Sequence, residues 1–244
     1  MALKSVNVCL SPALLPLYDA DNTTAVVIDI FRASSSMCYG LANGARAIIP
    51  VAEIDECLAY KEKGYLLAAE RDGAVVDGFD FGNSPFSYTP EKVAGKTVVL
   101  TTTNGTRAIN LCKNAKTVVM GSFLNISSLT HWLRKQDGHV LLVCAGWKNH
   151  MSLEDTVFAG AVVDRLEASG VELDDAANAA RSLYLNARDN LGAFLAKASH
   201  SKRMKHLRIE EDIAFCLQED LVTAIPVMKK GKLVCLPEYM PAAQ

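Results

Sequence analysis

The stretch "TAVVIDIFRASSS", from Thr24 to Ser36, shows a change from apolar to polar residues that recurs along this chain. Its first part is apolar at both odd and even positions, which predicts a β-strand covered on both faces. The carboxylate of Asp29 interrupts the apolar run, and Arg32 precedes three serines and a helical pattern. Hydroxyl side chains are favoured where a helix begins, because they accept hydrogen bonds from its first N–H groups. The stretch therefore predicts a strand, a polar turn and a helix in succession.

The same succession repeats through the first 146 residues. The predicted strands are Val6–Leu10, Thr24–Ile30, Ala47–Val51, Tyr65–Ala69, Thr97–Thr102, Thr117–Gly121 and Val140–Ala145. The predicted helices between them are Ser34–Asn43, Ile54–Lys63, Thr106–Lys113 and Ser127–Lys135. Such alternation is typical of parallel strands joined by crossover helices. We therefore expect an α/β protein with a layered α/β/α arrangement and a mainly parallel sheet.

From residue 147 onward the pattern becomes mainly helical. Apolar residues at helical spacing predict helices over Phe158–Leu166, Ala180–Leu195 and Glu210–Leu221. A turn at Lys230-Gly231 then leads into a last short strand. We expect residues 1–146 to form a sheet region that carries most of the functional site. Residues 147–244 are expected to pack on that sheet as a helical region that is not an independent domain.

Composition excludes several classes of function. The formal net charge of the 244 residues is −2, so no overall basic field attracts nucleic acid. No apolar run reaches the ~20 residues of a membrane helix, and no signal peptide is evident. Seven cysteines without a C-x-x-C pair indicate reduced core residues of a cytoplasmic protein. The five histidines lack zinc-ligand spacing, and there is no Walker loop or G-x-G-x-x-G motif.

Polar or ionisable residues follow five of the predicted strands, each time at the carboxyl end. Glu70-Arg71 follows one strand, Ser122 and Asn125 follow another, and Glu154-Asp155 comes after a third. Open parallel sheets bind ligands outside the carboxyl ends of their strands. We therefore expect a ligand site at this edge of the sheet.

The segment "TTTNGTR", residues 101–107, allows two interpretations. In the plain one, Asn104-Gly105 is a turn, a threonine caps the next helix and Arg107 is solvated. In the functional one, the start of that helix binds phosphate or sulfonate, since its unpaired N–H groups and its dipole favour an anion. Gly105 would allow close approach, and Arg107 would add positive charge. Arg32 and Ser34 repeat this arrangement, which favours an anion site.

The loop "DGFDFGNSP", residues 77–85, is either a structural turn or a clamp that brings Asn83 and Ser84 over the pocket. Two known phosphatase chemistries do not fit the spacing. The haloacid-dehalogenase type needs Asp-x-Asp, whereas Asp29 is followed by Ile30 and Phe31. The cysteine phosphatases need an arginine six positions after the cysteine, whereas His150 stands six positions after Cys144. We expect Cys144 to be a buried structural thiol.

The order of several segments resembles that of the 2-phosphosulfolactate phosphatases. These segments are "VVIDIFRASS", "GFDFGNSP", "TTTNGTRA", "SFLN", "CAG", "SLED" and "EEDIAFCLQEDLVTAIP", which together span Thr24 to about Pro226. The pairing of "GFDFGNSP" with "TTTNGTRA" is specific to that family. The resemblance implies a distinct α/β arrangement and a Mg²⁺-dependent acid phosphatase. It also implies conversion of (R)-2-phospho-3-sulfolactate to 3-sulfolactate and phosphate, in the direction of coenzyme M.

The roles of individual residues follow from the strand-end pattern. Asp29 and Arg107 are the predicted catalytic residues, and Mg²⁺ is predicted to bind Asp29, Glu70, Glu154 and Asp155. Acids at a helix start are also favoured by the dipole alone, which leaves a purely structural interpretation of Glu154-Asp155 open. The predicted substrate-binding residues are Arg32, Ser34, Arg71, Asn83, Ser84, Thr102, Thr103, Asn104, Gly105, Thr106, Ser122 and Asn125.

Three alternatives remain open at this point. Asp29 can hold the metal while water attacks, or it can itself be the nucleophile. The protein can be a non-catalytic binding or sensing protein for an anionic metabolite, or a general phosphatase of small 2-phospho acids. The basic segment from His200 to His206 is the candidate contact for a third anionic group of the substrate. We expect a small anionic substrate, no nucleic-acid or membrane partner, and a homodimer.

Overall fold

The computed structural model describes residues 2–71, 74–204 and 209–240. Its strands are β1 (Leu3–Cys9), β2 (Thr23–Ile28), β3 (Ala47–Pro50), β4 (Leu66–Arg71), β5 (Ala74–Val75), β6 (Thr97–Thr101), β7 (Thr117–Gly121), β8 (Gly138–Cys144), β9 (Glu172–Leu173), β10 (Pro226–Lys229) and β11 (Lys232–Cys235). The helices of this described part are α1 (Ala33–Ala42), α2 (Ile54–Leu58), α3 (Pro90–Val93), α4 (Gly105–Leu111), α5 (Ile126–Leu133), α6 (Leu153–Glu167), α7 (Asp175–Ala187), α8 (Leu191–Leu195), α9 (Ser199–Met204) and α10 (Glu210–Cys216).

The predicted strands and helices of the first 146 residues are all present, with shifted ends. β2 ends at Ile28, so Asp29 lies in the loop before α1 rather than in the strand. The single helix predicted over 180–195 is two helices, because Asn190 caps α8 by accepting a hydrogen bond from the Ala193 N–H at 2.9 Å. The α/β class and the mainly parallel sheet are confirmed.

The strand order of the sheet is β5-β4-β6-β3-β11-β10-β7-β2-β8-β1-β9. The hairpin β10–β11 lies in its middle and pairs antiparallel with β7 on one side and with β3 on the other. The two parts of the chain on either side of residue 146 therefore share one sheet. The sequence pattern predicts only one short strand near the C-terminus, at the end of the helical region.

The inserted hairpin changes where the strand ends point. β4, β6 and β3 are parallel to one another, as are β7, β2, β8 and β1, but the two groups run in opposite directions across the hairpin. In a flat sheet, the ends of β6 and β2 would lie five strand spacings, about 24 Å, apart and at opposite edges. A Cβ built on Gly105, four residues after β6, would nevertheless lie 2.7 Å from Asp29 Oδ2.

The sheet must therefore curl, so that its two halves enclose α1 and α4. A twist of roughly 20–25° per strand accumulates to about 100–125° over five steps, which turns the two groups of carboxyl ends toward each other. The sequence predicts that the carboxyl ends of all the strands lie at one edge of the sheet. In the structure they lie at two edges, which the curl of the sheet brings together.

Two large hydrophobic cores lie on the two faces of the sheet, and a smaller one packs α2 against β3, β4 and β6. Alternate residues of β2 serve the two large cores: Val26 and Ile28 pack with α5, α6 and α7, whereas Ala25 and Val27 pack with α1 and α4. This division explains why the strand is apolar at every position. Within the described helices, none combines the length and the apolar character needed to cross a membrane.

Candidate active site

A cleft opens where the two groups of strand ends meet. It is lined by Asp29, Phe31, Arg32, Glu70, Asn83, Asn104, Gly146, Trp147, Glu154, Asp155, His200 and Ile209. Seven of these were predicted site residues: Asp29, Arg32, Glu70, Asn83, Asn104, Glu154 and Asp155. They come from five separate segments of the chain, which supports the prediction that polar strand ends converge.

Asp29 lies directly before the first turn of α1. Its backbone is fixed by Ser34, whose N–H donates to the Asp29 carbonyl at 2.8 Å and whose Oγ accepts from the Asp29 N–H at 3.2 Å. Ser34 is fully buried and therefore positions Asp29 from behind the cleft. Loss of water contact raises the pKa of Asp29 well above its ordinary value, and the charges of neighbouring carboxylates raise it further.

Asp155 fixes the same loop from the opposite side. Its Oδ1 accepts a hydrogen bond from the Ile30 N–H at 3.0 Å, and its Oδ2 accepts from the Gly146 N–H at 3.0 Å and from Ser152 Oγ at 2.6 Å. Burial raises the pKa of Asp155 to about 6, although these three hydrogen bonds oppose the rise. Asp155 thus joins the loop after β2 to the loop after β8 and holds both in place.

Glu70 is buried at the end of β4 and faces the turn after β6. Thr103 donates to it twice, from its N–H and from Oγ1, both at 3.4 Å. Next along the turn, Asn104 Oδ1 accepts a hydrogen bond from the Lys148 N–H at 3.1 Å. The turn therefore connects an acidic group of one half of the sheet to a loop of the other half.

The remaining residues of this turn have structural contacts. Thr102 Oγ1 accepts from the Thr106 N–H at 3.2 Å, and Thr106 Oγ1 accepts from the Thr102 N–H at 3.3 Å, so the two threonines cap the start of α4 reciprocally. Gly105 leaves room for Asp29 and for Ala33, whose Cβ would lie 2.8 Å from an added Cβ. Glycine is required here because two chain segments approach closely, not because of its backbone angle.

A buried ion pair lies beside the cleft, and only its Arg32 is among the residues that line it. Arg32 Nη1 donates to Asp212 Oδ2, and Asp212 Oδ1 accepts a second hydrogen bond from Ser84 Oγ at 2.7 Å. The side chains of Arg32 and Asp212 are only 8% and 10% exposed. Sequence analysis missed Asp212, since three acids at the start of α10 are expected from the helix dipole alone.

Several predicted residues lie elsewhere. Arg107 is on the exposed surface of α4, which gives no support to its predicted catalytic role. Arg71 donates to the Glu70 carbonyl at 2.8 Å and to Thr101 Oγ1 at 3.0 Å, and so ties neighbouring strands together.

Ser122 and Asn125 form a buried capping contact. The Ser122 N–H donates to Asn125 Oδ1 at 3.1 Å, and Asn125 Nδ2 donates to the Ala224 carbonyl at 2.9 Å. Neither residue is among those that line the described cleft. Their contacts connect the end of β7 to the chain that leads into β10.

Five cleft residues were not identified as site residues on their own from the sequence: Phe31, Gly146, Trp147, His200 and Ile209. His200 is buried, and its ring lies 5.2 Å from that of Phe31. Of the basic segment that was expected to meet a third anion, Lys205 and His206 lie outside the described residues. A buried histidine or tryptophan is ordinarily a core residue, so the sequence offers no signal for this placement.

Comparison with known proteins identifies the family of this chain. A family model described as 2-phosphosulpholactate phosphatase matches residues 9–231. A protein of Thermotoga petrophila is 40% identical over 221 residues, which cover 91% of this chain and 96% of the relative. A protein of Caldanaerobacter subterraneus subsp. tengcongensis is 38% identical over 218 residues, with coverages of 87% and 90%. Both bear the name "Probable 2-phosphosulfolactate phosphatase".

The chain belongs to the 2-phosphosulfolactate phosphatase family. The resemblance seen in its motifs is thereby confirmed over nearly the whole length of the chain.

The oxygen ligands available in the cleft suit a hard cation such as Mg²⁺. The acidic oxygens come from Asp29, Glu70, Glu154 and Asp155, and the carbonyl oxygen Oδ1 of Asn83 is buried without a hydrogen-bond partner among the described residues. Within those residues, no group of three or more acidic, histidine or cysteine side chains is arranged to hold a metal ion. Mg²⁺ needs fewer protein ligands, because it commonly binds one or two carboxylates and completes its shell with water and substrate phosphate.

The cysteines of this family member give no support to a catalytic thiol nucleophile. All seven cysteines are buried as free thiols, and burial raises the pKa of Cys144 well above its ordinary value. A thiol with a raised pKa is a poor nucleophile because little thiolate forms. Cys144 is therefore a core residue behind the cleft.

Proposed function

We propose that this chain is a Mg²⁺-dependent phosphatase that hydrolyses 2-phospho-3-sulfolactate to 3-sulfolactate and inorganic phosphate. The observation that carries the proposal is a single cleft in which four carboxylates share the lining with one buried arginine. The name borne by the relatives supports the same substrate. The seven buried thiols support a reducing, cytoplasmic setting, and the homodimer stays a prediction.

The charges of the cleft support a requirement for a divalent cation. The substrate carries phosphate, carboxylate and sulfonate groups, which carboxylates alone would repel. Mg²⁺ would bind one or two of the carboxylates of Asp29, Glu70 and Glu154 directly and reach the rest through water. Asp155 would act through the loops that it fixes. Bound Mg²⁺ would stabilise negative charge on the phosphoryl oxygens and on the leaving oxygen.

The residues of the chain have distinct parts in the proposed reaction. Arg32 presents a guanidinium to an oxyanion of the substrate. Asp29 either orients the attacking water or attacks phosphorus itself. In the second route, an Asp29 oxygen bonds to phosphorus, the bond from phosphorus to the C2 oxygen breaks, and the released alkoxide takes a proton. Water then cleaves the acyl phosphate.

The test is an assay of phosphate release from 2-phosphosulfolactate, 2-phospholactate and phosphoglycolate, each with Mg²⁺ and with a chelator. We expect fastest release from 2-phosphosulfolactate, and loss of release when the metal is removed. Equal rates on all three compounds would indicate a general phosphatase of small 2-phospho acids. Absence of release from every compound would overturn the proposal, and binding of sulfolactate without metal would then favour a sensing protein.

Rapid acid quenching separates the two routes. With ³²P-labelled substrate, nucleophilic attack by Asp29 leaves label on the protein, and the Asp29→Asn variant leaves none. Direct attack by water leaves both proteins unlabelled while phosphate appears.

A further inference from the structure

Arg32, Asp212 and Ser84 form a hydrogen-bonded wall beside the cleft, of which only Arg32 is among the cleft-lining residues. Arg32 and Ser84 were predicted to contact substrate, whereas Asp212 has no assigned role. We propose that Asp212 and Ser84 are positioning residues that hold the Arg32 guanidinium as the contact for an oxyanion of the substrate. The inference rests on the proposed function, since it assigns part of the same cleft to substrate recognition.

The first support is the geometry of the wall. A guanidinium has a planar fork of five N–H donors that matches the oxygens of carboxylate, sulfonate or phosphate. Asp212 accepts from Arg32 Nη1 with one oxygen and from Ser84 Oγ with the other, at 2.7 Å. Since both oxygens of Asp212 are engaged, its carboxylate is fixed, and it fixes the orientation of the fork in turn.

The second support is the charge around Arg32. Asp29, Glu70 and Glu154 line the same cleft, and each would attract a mobile guanidinium. An arginine drawn onto them would oppose cation binding and would be turned away from an anionic substrate. Asp212 pairs with Arg32 from α10, so it fixes the Nη1 edge of the guanidinium against the pull of that acidic group.

The third support is that α10 is anchored by other contacts. The Phe215 ring packs against Tyr39 of α1 with a centroid distance of 5.1 Å, and against Phe86 with a distance of 5.0 Å. These contacts hold α10 beside α1 without the aid of Asp212. The pair is therefore not needed to dock the helix, and the Asp212→Asn variant is expected to fold.

The kinetic test uses Asp212→Asn and Arg32→Lys, with Asp164→Asn as control. The control breaks another Asp–Arg pair, Arg181 Nε to Asp164 Oδ1 at 2.9 Å, which lies outside the cleft. We expect Asp212→Asn to raise KM by about 10- to 100-fold, the effect of a lost charge-assisted hydrogen bond. We expect kcat to change by less than about fivefold and the control to match the wild type. A fall in kcat at unchanged KM, or no change at all, would overturn the inference.

Combining the substitutions tests whether the residues act as one unit. If Asp212 acts only through Arg32, the double variant should lose no more than the worse single variant, because contacting residues are not additive. Losses that multiply would contradict the inference. Ser84→Ala, which keeps the ion pair, should raise KM by about threefold and serves as the variant least disturbing to the fold.

Calorimetry makes the test independent of turnover. Inorganic phosphate and 3-sulfolactate are titrated into the wild type and Asp212→Asn in the presence of Mg²⁺. Weaker phosphate binding by the variant places the phosphoryl group on Arg32, and weaker sulfolactate binding places a non-transferred acid group there. Unchanged binding of both overturns the inference. A wild type that binds these anions but releases no phosphate would instead defeat the proposed function and leave the recognition role standing.

Discussion

The two strand-to-helix junctions, "FRASSS" before α1 and "TTTNGTR" before α4, look alike in sequence but differ in the structure. At the first, Arg32 precedes the helix, is buried and lines the cleft. At the second, Arg107 is the third residue of its helix and lies on the exposed surface. Successive helical residues are rotated by about 100°, so the position of an arginine relative to the helix start decides the direction in which it points.

The hydroxyl groups of the two junctions also make different kinds of hydrogen bond. At the first, Ser34 holds the backbone of Asp29 and Ser35 Oγ donates to the Ile30 carbonyl at 2.9 Å. At the second, Thr102 and Thr106 cap each other, and Thr103 reaches Glu70. The comparison teaches that one junction carries the Asp29 carboxylate, for which we propose a part in the reaction, while the other shapes and closes the space beside it.

Replacing the carboxylate of the first junction should have the largest effect. Asp29→Asn should lower kcat/KM by about 1,000-fold or more, because one group of a preorganised charged site is lost. The melting temperature of the metal-free protein should be unchanged or higher, since one carboxylate is removed from an acidic cluster. Asp19→Asn, at an exposed position, is the control. Near-normal activity of Asp29→Asn would make Asp29 structural and would place the reaction elsewhere.

Substituting the two arginines tests the comparison directly. Arg32→Lys should lower kcat/KM by about 10- to 100-fold, because the bidentate fork is lost. Even the severe change Arg107→Ala should leave kcat/KM within about threefold of the wild type, as is usual at exposed positions. Steady-state kinetics on 2-phosphosulfolactate measure both. A large loss in Arg107→Ala would restore the catalytic role predicted from the sequence.

The buried carboxylates should make the stability of the metal-free protein depend on pH. Because the pKa of Asp155 is raised to about 6, the folded state keeps a proton that the unfolded chain releases above about pH 4. The free energy of unfolding contributed by Asp155 therefore falls as pH rises from about 4 to 6, by about 3 kcal/mol, and is level above that window.

Urea unfolding at several pH values measures this effect as the difference between the wild type and Asp155→Asn. Saturating Mg²⁺ should reduce the fall, since the ion binds the deprotonated cluster. A difference that is constant between pH 4 and 6 would contradict the raised pKa of Asp155.

Filling the space at the second junction should have the smallest effect. Gly105→Ala should destabilise the protein by about 1–3 kcal/mol, because the added methyl group overlaps Ala33 and displaces Asp29. Activity should fall with it. Gly192→Ala is the matched helical control: its nearest heavy atom would lie 3.8 Å away, so a gain of about 0.5–1 kcal/mol is expected. Equal stability of the two variants would show that the junctions are not in close contact.

The sequence predicts the elements well because their patterns are local. The strand before Asp29 and the helix beginning near Ser34 depend on neighbouring residues, and both are present in the structure. Six of the seven predicted residues that line the cleft share one signal, which is a polar side chain following an apolar strand, whereas Asn83 was predicted from its loop. The same signal was misleading for Ser122 and Asn125, because a capping contact needs the same residue types as a ligand contact.

Local pattern could not predict the course of the sheet or the partners that meet across it. β10 and β11 are short, and no periodicity indicates that they separate β7 from β3 and reverse one half of the sheet. Asp212 is 180 residues from Arg32 along the chain, and three acids at a helix start are expected without any partner.

By itself, the sequence determined the succession of strands and helices, the family and the set of acidic and polar residues available for a site. These follow from apolar periodicity and short motifs, which act over a few residues. Only the tertiary structure decided that strand ends from opposite edges meet, that Arg32 rather than Arg107 lines the cleft, and that Asp212 holds Arg32. The reason is the curl of the sheet, which brings residues over a hundred positions apart into contact. The curl depends on how the cores on the two faces of the sheet pack.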